Sequence, residues 1–186
     1  KDTANNMKTE DGRYRKSRRL LHKSIAIQYK FDAQQAVPKD GKSKVVFMAG
    51  LPASGKTYAV QNMFKEIDGT SGRIMKDKKG EKYLVLNADD IKKWLPEFEN
   101  GVGAARIHRE SSEINSGMIN YFSKQGVNII VDGTLTKLDK AERQMDLFKE
   151  KGYSTSLIHV DVPAEQAINM AFKRFQDIGR WVPLGI

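Results

Sequence analysis

The sequence predicts an α/β fold in which helices flank a parallel sheet. Four short runs, at 45–49, 83–86, 128–131 and 156–160, are rich in apolar and β-branched residues, and helical stretches separate or follow them. The runs are apolar almost throughout, which is typical of strands buried on both faces of a parallel sheet. A glycine-rich segment at 50–57 follows the first run directly, where such folds place a ligand-binding turn.

Helical elements are expected after each of the four strands, at 55–66, 103–124, 138–150 and 164–176. The segment 73–82, with the sequence RIMKDKKGEK, is expected to be an exposed loop or β-turn. The helix expected at 103–124 has an apolar stripe. That stripe consists of Ile107, Ile114, Met118 and Phe122.

A basic helix is predicted ahead of the sheet, between residues 14 and 35. Residues 1–12 are polar and are expected to be loose, and 37–44 is a linker that contains Pro and Gly. We therefore expect 1–36 to form a basic helical extension and 37–186 to form the main domain. The apolar residues that recur at near-helical spacing in the leading helix are Leu20, Leu21, Ile25, Ile27 and Phe31.

The composition is that of a soluble globular chain. Of the 186 residues, 39% are hydrophobic and 30% are charged, and no apolar run approaches the roughly 20 residues that a membrane span needs. No apolar stretch follows the charged N-terminus, so a secretory signal peptide is not predicted. The sequence contains no cysteine, which excludes disulfides and fits a reducing cytosol. We therefore expect a cytoplasmic protein that does not enter a membrane.

The net charge of +9 is concentrated near the N-terminus. Residues 1–44 hold 12 of the 32 Lys and Arg residues but only 5 of the 23 Asp and Glu residues, so the remainder is nearly neutral. A nucleic-acid-binding groove needs basic charge along the face that binds, so this distribution argues against nucleic acid as a partner. The basic helix is interpreted either as a solvated face or as a docking surface for an acidic partner.

The stretch FMAGLPASGKTYAV fits the phosphate-binding loop pattern without a mismatch. Its glycines let successive backbone N–H groups point at phosphate oxygens, and the following helix adds the partial positive charge of its N-terminus. Lys56 is expected to reach the β- and γ-phosphates, and the Thr57 hydroxyl is expected to ligate Mg²⁺. The predicted nucleotide-binding residues are Gly50, Pro52, Ala53, Ser54, Gly55, Lys56, Thr57 and Tyr58.

Carboxylates follow two other predicted strands. YLVLNADD ends in Asp89 and Asp90, and NIIVDGT ends in Asp132 and Thr134. Because ligands of parallel α/β sheets lie beyond the carboxyl ends of the strands, these carboxylates and Lys56 are expected around one crevice. A carboxylate there can take the proton of an acceptor hydroxyl. The competing roles are a helix N-cap for Asp89 or Asp90 and a turn residue for Asp132.

Two further groups of charged residues are candidates for the site. Arg109 and Glu113 lie off the apolar stripe of their helix, and they form either a solvated, i,i+4-paired face or a substrate-binding wall. Arg174 and Arg180 lie near the end of the last helix and beyond it. A mobile arginine that closes over a transferred phosphoryl group is a recurrent device, whereas an arginine at a helix end also interacts favourably with the helix dipole.

The ordered set of motifs resembles the zeta-toxin kinases. The resemblance rests on GLPASGKT, NADDIKKWLPEF, HRESSEI, GVNIIVDGT and KGYSTSLIHVDVP, followed by KRF and GRWVP. The basic RRLLHKSIA resembles the leading helix of that family, so the match runs from about residue 14 to the end. The resemblance implies an adenylate-kinase-like phosphate-loop fold and a bacterial or phage origin, and a secreted effector remains an alternative to a cytoplasmic protein.

The resemblance also implies an activity, which is transfer of the γ-phosphate of ATP or GTP, with Mg²⁺, to a hydroxyl of a small molecule. Characterised relatives phosphorylate UDP-N-acetylglucosamine, and one relative phosphorylates NAD on a ribose hydroxyl. An antitoxin protein is the partner that the resemblance suggests. The residues that we expect to be catalytic are Lys56, Asp89, Arg174 and Arg180.

Motif positions carry the family's roles onto this chain. Asp89 in NADD matches the catalytic base, and Asp132 and Thr134 match the acid and the threonine that contact the substrate. Arg174 and Arg180 match the lid arginines. Arg109 and Glu113, both within HRESSEI, complete the predicted substrate-binding set.

Two departures from the family pattern bear on the acceptor. The acid before the GT pair is often Glu in the family and is the shorter Asp132 here, and Thr136 stands where some relatives have an arginine. Relatives commonly continue beyond the position of the last residue here, so part of the kinase domain is expected to be missing at the C-terminus. A polynucleotide 5′-hydroxyl kinase and a non-catalytic nucleotide-binding module are the alternative functions.

Overall fold

The computed structural model describes residues 2–50, 56–133 and 138–178. These residues form an α/β structure around one mixed sheet. The helices are α1 (Thr3–Asn6), α2 (Lys16–Ala33), α3 (Lys56–Met63), α4 (Ala88–Lys92), α5 (His108–Phe122), α6 (Leu138–Glu150) and α7 (Ala164–Ile178). The strands are β1 (Lys44–Ala49), β2 (Phe64–Glu66), β3 (Ile74–Asp77), β4 (Lys82–Asn87), β5 (Ile129–Asp132) and β6 (Ser154–His159).

The sheet has the order β2-β3-β4-β5-β1-β6 within the described part of the chain. Strands β4, β5, β1 and β6 run parallel to one another, which confirms the predicted fold class, and each lies within two residues of its predicted bounds. Strand β1 lies between β5 and β6, which follow it much later in the sequence. The ends of β1, β5 and β6 therefore lie close together although β1 is far from the other two strands in the sequence.

Alternate residues of β1 divide between two cores. Val45 and Phe47 pack in the larger cluster, which also contains residues of α2, α5 and α6. Val46 and Met48 point to the other face and pack with Val60 of α3. Because successive side chains of a strand point to opposite faces, a strand covered on both sides must be apolar throughout. This explains the apolar run that predicted the parallel sheet.

The leading helix α2 shares the larger core with the sheet. Ile25 and Tyr29 are fully buried, and Ala33 is nearly so. Leu20, Ile27 and Phe31 are exposed instead, so the apolar residues that predicted the helix lie on two different faces. The predicted boundary between an extension at 1–36 and a kinase domain at 37–186 stays a prediction, but the two segments have one core in common.

A buried ionic network fixes α2 to α5. Arg18 donates hydrogen bonds from Nε to Glu110 Oε1 at 2.6 Å and from its terminal nitrogens to Glu97 at 2.7 and 3.0 Å. His22 and Thr3 also contact the Glu110 carboxylate. Burial opposes ionisation of Glu110, but the hydrogen bonds from His22, Arg18 and Thr3 outweigh it and lower the pKa of Glu110 to about 2. Glu110 is fully buried, although it is a charged residue that stands off the apolar stripe of its helix.

Two sequence-based expectations about local structure are wrong. Residues 1–12 contain helix α1, which Asp2 caps by accepting a hydrogen bond from Ala4 N at 2.8 Å, and Thr3 is buried against α5. The segment 73–82 is not simply a loop, because β3 pairs antiparallel with β4 and with β2. Ile74 of β3 is fully buried, which anchors this short, highly charged strand to the core.

Helix α5 begins at His108, later than expected. Residues before it turn tightly, and a Cβ added to Gly103 would lie 1.6 Å from the carbonyl oxygen of Glu97. Only glycine therefore permits this approach of the two backbones. None of the helices in the described ranges is long and apolar enough to cross a membrane.

Candidate active site at the carboxyl ends of the strands

The carboxyl ends of β1, β4 and β5 lie side by side. Strand register pairs Asn87, the last residue of β4, with Asp132, the last residue of β5, and pairs Met48 of β1 with Asp132. After β1, Gly50 has a φ of 145°, a conformation that side chains with a Cβ rarely adopt. The sheet therefore brings the start of the predicted phosphate loop next to the two strand ends that carry carboxylates.

Asn87 holds this edge together with both ends of its side-chain amide. Its Oδ1 accepts a hydrogen bond from the backbone N–H of Asp89, and its Nδ2 donates one to Asp132 Oδ2, each at 2.8 Å. Asn87 is therefore the N-cap of α4 and a partner of the Asp132 carboxylate. Asn87 is not among the site residues predicted from the sequence, although an Asn directly before a helical stretch is a common cap signal.

Asp89 and Asp90 lie in the first turn of α4, and neither is the cap. Asp89 Oδ1 accepts a hydrogen bond from Lys92 Nζ at 2.8 Å, and Asp90 Oδ1 accepts one from Lys93 Nζ at the same distance. Lys92 is almost fully buried, whereas 44% of the Asp89 side chain is exposed. Asp89 is therefore accessible to a ligand while a buried cation lies on its other side.

Lys56 belongs to the predicted loop sequence and lies in α3. Its ammonium group donates a hydrogen bond to the carbonyl oxygen of Gly50 at 2.7 Å, so the side chain reaches back to the end of β1. The same charge acts on Asp132, because Lys56 lowers the pKa of that carboxyl. Lys56 and Asp132 thus lie near each other, as the predicted crevice requires.

Asp132 has a raised pKa because burial disfavours its charged form. The nearby carboxylates of Asp90 and Asp89 raise the pKa further, while the charge of Lys56 and the hydrogen bond from Asn87 lower it. A partly buried carboxyl surrounded by a cation and two other carboxylates is typical of functional sites rather than of a solvated turn.

Several predicted site residues lie outside the described residues. They are Pro52, Ala53, Ser54, Gly55, Thr134 and Arg180. For Thr57, Tyr58 and Arg174 the structure describes the helix that contains them but not their side chains. The predicted roles of all nine residues in nucleotide, metal or substrate binding stay predictions.

Arg109 and Glu113 lie against the N-terminal segment. Glu113 accepts hydrogen bonds from Lys8 Nζ at 2.9 Å, from the Tyr14 hydroxyl at 2.8 Å and from Arg109 Nε at 3.1 Å. Arg109 also donates to Asn5 Oδ1 at 3.2 Å. Arg109 and Glu113 therefore form the i,i+4 pair that the sequence suggested. Contact of either side chain with substrate stays a prediction.

In the described ranges, no group of three or more His, Cys, Asp or Glu residues is arranged to hold a metal ion by itself. Mg²⁺ in phosphoryl-transfer sites usually keeps several waters and binds one or two protein oxygens together with substrate phosphates. The exposed carboxylate of Asp89 and the carboxyl of Asp132 are hard oxygen donors of this kind. The residues present therefore fit a magnesium ion that arrives with a nucleotide.

A shallow pocket of about 360 Å³ lies elsewhere, at the edge formed by β2, β3 and β4. It includes Lys44 and Tyr83, which stand near the amino ends of β1 and β4. It is therefore at the opposite end of the sheet from Asp89 and Asp132.

The first strand of the sheet leads through a glycine-rich segment to Lys56 of α3, and carboxylates lie at the ends of the neighbouring strands. This arrangement defines the phosphate-loop kinase fold. The chain belongs to the zeta-toxin family, whose family model matches residues 28–186. This confirms the family that the sequence motifs suggested.

Known relatives agree with this family. Toxin zeta of Streptococcus pyogenes is 24% identical over 135 residues, which are 69% of this chain and 43% of the relative. A structure from the PezAT toxin–antitoxin system of Streptococcus pneumoniae superimposes with a TM-score of 0.69 at 14% identity, covering 90% of this chain and 66% of that one. The AvrRxo1-ORF1:-ORF2 structure with ATP gives a TM-score of 0.66 at 22% identity, covering 89% and 52%.

These structural similarities establish the shared fold. The chain spans less than half of the length of the curated relatives that it matches, with 42–43% of each relative covered.

Proposed function

We propose that the protein is a kinase that transfers the γ-phosphate of ATP or GTP to a hydroxyl of a small molecule. The observation that carries this proposal is the grouping of Lys56, Asp89 and Asp132 at the carboxyl ends of β1, β4 and β5. Phosphoryl transfer needs a cation on the phosphates and a carboxylate near the acceptor hydroxyl, and these residues supply both. Membership of the zeta-toxin family supports the same activity.

Each residue has a distinct task in the proposed reaction. Lys56 leaves its contact with the Gly50 carbonyl and stabilises negative charge on the β- and γ-phosphates. Asp89 accepts the proton of the acceptor hydroxyl as the oxygen bonds to the γ-phosphorus and the bond to the leaving diphosphate breaks. Asp132, held by Asn87, orients the acceptor next to Asp89. Arg174 and Arg180 are proposed to stabilise the charge on the transferred group.

Magnesium, when bound with the nucleotide, supplies charge neutralisation at the phosphates. Thr57 is the proposed protein ligand by its place in the motif. The carboxyl of Asp132 provides a further oxygen at this edge of the sheet, where Lys56 and the hydrogen bond from Asn87 favour its ionised form.

The proposed acceptor is a nucleotide sugar such as UDP-N-acetylglucosamine, with a ribose hydroxyl of NAD as the alternative. The resemblance of the sequence motifs to the zeta-toxin kinases is the reason for proposing the first. The shorter acid Asp132 and the departure at Thr136 are the reasons to test both. We also propose an antitoxin partner, because a similar structure comes from a toxin–antitoxin system.

The first test separates the proposed base from its neighbour. Asp89→Asn keeps an acceptor for the hydrogen bond from Lys92 Nζ but cannot take a proton, and Asn87, not Asp89, caps the helix. We expect transfer to fall by about 100-fold or more, the usual scale for losing a general base, while nucleotide affinity stays within a few-fold. The measurements are nucleotide consumption with each acceptor and nucleotide binding by calorimetry.

Asp90→Asn is the matched control, since Asp90 makes the equivalent contact with Lys93 on the same turn. It should change the rate much less than Asp89→Asn. If Asp90→Asn is the inactive variant and Asp89→Asn is active, the base has been assigned to the wrong residue. Lys56→Ala should also lower the rate by at least about 100-fold, and an unchanged rate would contradict the phosphate-loop role.

A further inference from the structure

Helix α2 has one face that is buried against the rest of the protein and an opposite face that is exposed and partly apolar. The buried face is fixed by Ile25 and Tyr29 in the core and by the ion pairs of Arg18 with Glu110 and Glu97. The opposite face carries Leu20, Ile27 and Phe31, which are 58%, 55% and 65% exposed. Large apolar side chains exposed along one line of a helix are a sign of an interaction surface rather than of chance.

The spacing on this face is that of a coiled-coil seam. Leu20 and Ile27 occupy successive d positions of a heptad, and Ser24 and Phe31 occupy the a positions between and after them. The stripe is as narrow as an a/d seam, so it is suited to one partner helix. Insertion into a membrane surface needs a broader apolar face.

A row of cations runs along one side of the seam. Lys16, Lys23 and Lys30 occupy three successive g positions, and all are exposed. None of the three has a carboxylate within ion-pair distance among the residues that the structure describes. Lys30 Nζ lies 4.3 Å from the centre of the Tyr121 ring of α5, which holds this end of the row in place.

We propose that the outer face of α2, formed by Leu20, Ser24, Ile27 and Phe31 with the flanking lysines, is a docking surface for one acidic amphipathic helix of another protein. The partner presents apolar residues at its a and d positions and Asp or Glu at the position that faces the lysine row. Coiled-coil partners are selected by such e and g charges, so charge complementarity identifies the occupant.

A second copy of this chain does not complement the surface. In an antiparallel pair the lysine row would face its own copy, and in a parallel pair it would face Leu21 and Gln28, neither of which is acidic. The tight fixation of the buried face means that α2 needs no ordering when the partner binds, which lowers the entropic cost of docking. This surface is independent of the proposed phosphoryl transfer.

The direct test uses a designed three-heptad peptide with Leu at a and d, Glu at e and g, and a fluorescent label. The comparison peptide has Lys at e and g and the same seam. Fluorescence anisotropy with the complete chain should show saturable binding of the acidic peptide and at least about tenfold weaker binding of the basic one.

A charge-swapped variant makes the test specific for this face. It replaces Lys16, Lys23 and Lys30 by Glu, and it should reverse the preference so that the basic peptide binds better than the acidic one. The matched control replaces three exposed lysines elsewhere, and those lysines are Lys124, Lys140 and Lys151. The control changes the net charge equally and should keep the original preference.

The seam is tested separately with Ile27→Ser, which alters an exposed side chain and leaves the buried face intact. We expect binding of the acidic peptide to weaken by at least about fivefold, the scale of one apolar contact at an interface. Two further measurements complete the set, which are binding of the chain to vesicles containing phosphatidylserine and sedimentation of the chain alone to detect self-association. Failure of the acidic peptide to bind, an unchanged preference in the charge-swapped variant, binding to vesicles alone, or self-association through this face would each overturn the proposal.

Discussion

The carboxyl of Asp132 is held where its charge is unfavourable. Burial raises its pKa, and Asp89 and Asp90 act in the same direction, while Lys56 and the hydrogen bond from Asn87 oppose them. A charged group whose burial costs solvation free energy is often retained because activity needs it, even though it lowers the stability of the fold. Asp132 therefore offers a measurement of the conflict between stability and activity at a single residue.

Asp132→Asn should stabilise the fold at neutral pH and lower the rate of transfer. The pKa of Asp132 is raised in the folded state, so the protonated carboxyl contributes stability below the unfolded pKa. This contribution to the free energy of unfolding is lost as pH rises through the folded pKa. Asn has no charge to bury and still accepts the hydrogen bond from Asn87. We expect a gain of about 1 kcal/mol in urea unfolding at pH 7, and a much smaller difference near pH 3.

Equal stabilities of the variant and the parent at pH 7 would contradict the unfavourable burial of this charge. The matched control is Asp139→Asn, which changes an exposed carboxylate on α6 and should leave the unfolding free energy almost unchanged.

Much of the candidate site could be predicted from the sequence, because the carboxyl ends of parallel strands meet at one edge. That rule alone predicts that Lys56, Asp89 and Asp132 lie together. The role of Asn87 could not be predicted in the same way. Its contact with Asp132 depends on the register between β4 and β5, which strand pairing determines and a single sequence does not display.

At the scale of elements, the junction of α2 and α5 rests on buried charge. Glu110 is fully buried and contacts Arg18, His22 and Thr3, and its pKa is lowered to about 2. Its folded pKa lies below the ordinary value of 4.5, so its stabilising contribution is present above pH 4.5 and is lost as pH falls toward 2.

Glu110→Gln should weaken this junction by about 3 kcal/mol or more, since it leaves the buried Arg18 with one carboxylate partner fewer. Urea unfolding at pH 7 measures the loss, and the gap between variant and parent should narrow between pH 4.5 and pH 2. Asp146→Asn, in the exposed pair with Lys149, is the control and should cost less than about 1 kcal/mol. An equal loss in both variants would contradict a special role for the buried network.

The elements that the sequence did not predict are those whose stability comes from distant partners. Strand β3 is four residues long and carries two charges, a pattern that also suits a loop. It forms because Ile74 is buried and because β4 offers a free edge for antiparallel pairing. Both β3 and the edge strand β2 beside it are short and charged, and such strands protect the edge of a sheet from pairing with other chains, so weak local signals are expected there.

At the scale of the whole molecule, one core crosses the predicted boundary at residue 36. Ile25 and Tyr29 of α2 pack in the same cluster as Phe47, Leu84 and Ile129 of the sheet. The leading helix is therefore part of the hydrophobic interior as well as the carrier of the basic surface.

Deletion of 1–36 should consequently unfold the remaining chain or leave it without fixed packing. Truncating one large buried side chain costs about 2–5 kcal/mol, and this deletion removes two such side chains and the partner of Glu110 together. Near-ultraviolet circular dichroism and thermal unfolding measure the effect. Ile27→Ser is the control on the exposed face of the same helix, and a cooperatively folded deletion variant that binds nucleotide would contradict the shared core.

The closure of α2 onto later elements also has a consequence for the timing of folding during synthesis. Arg18 and Glu110, which are in contact, are 92 positions apart in the sequence, and Phe148, whose ring is in contact with that of Phe47, comes later still. Helix α2 therefore leaves the ribosome before the partners of its buried face have been translated, and until then its apolar and basic faces are both exposed. The larger core is therefore complete only after α6, which carries Phe148, has been synthesised.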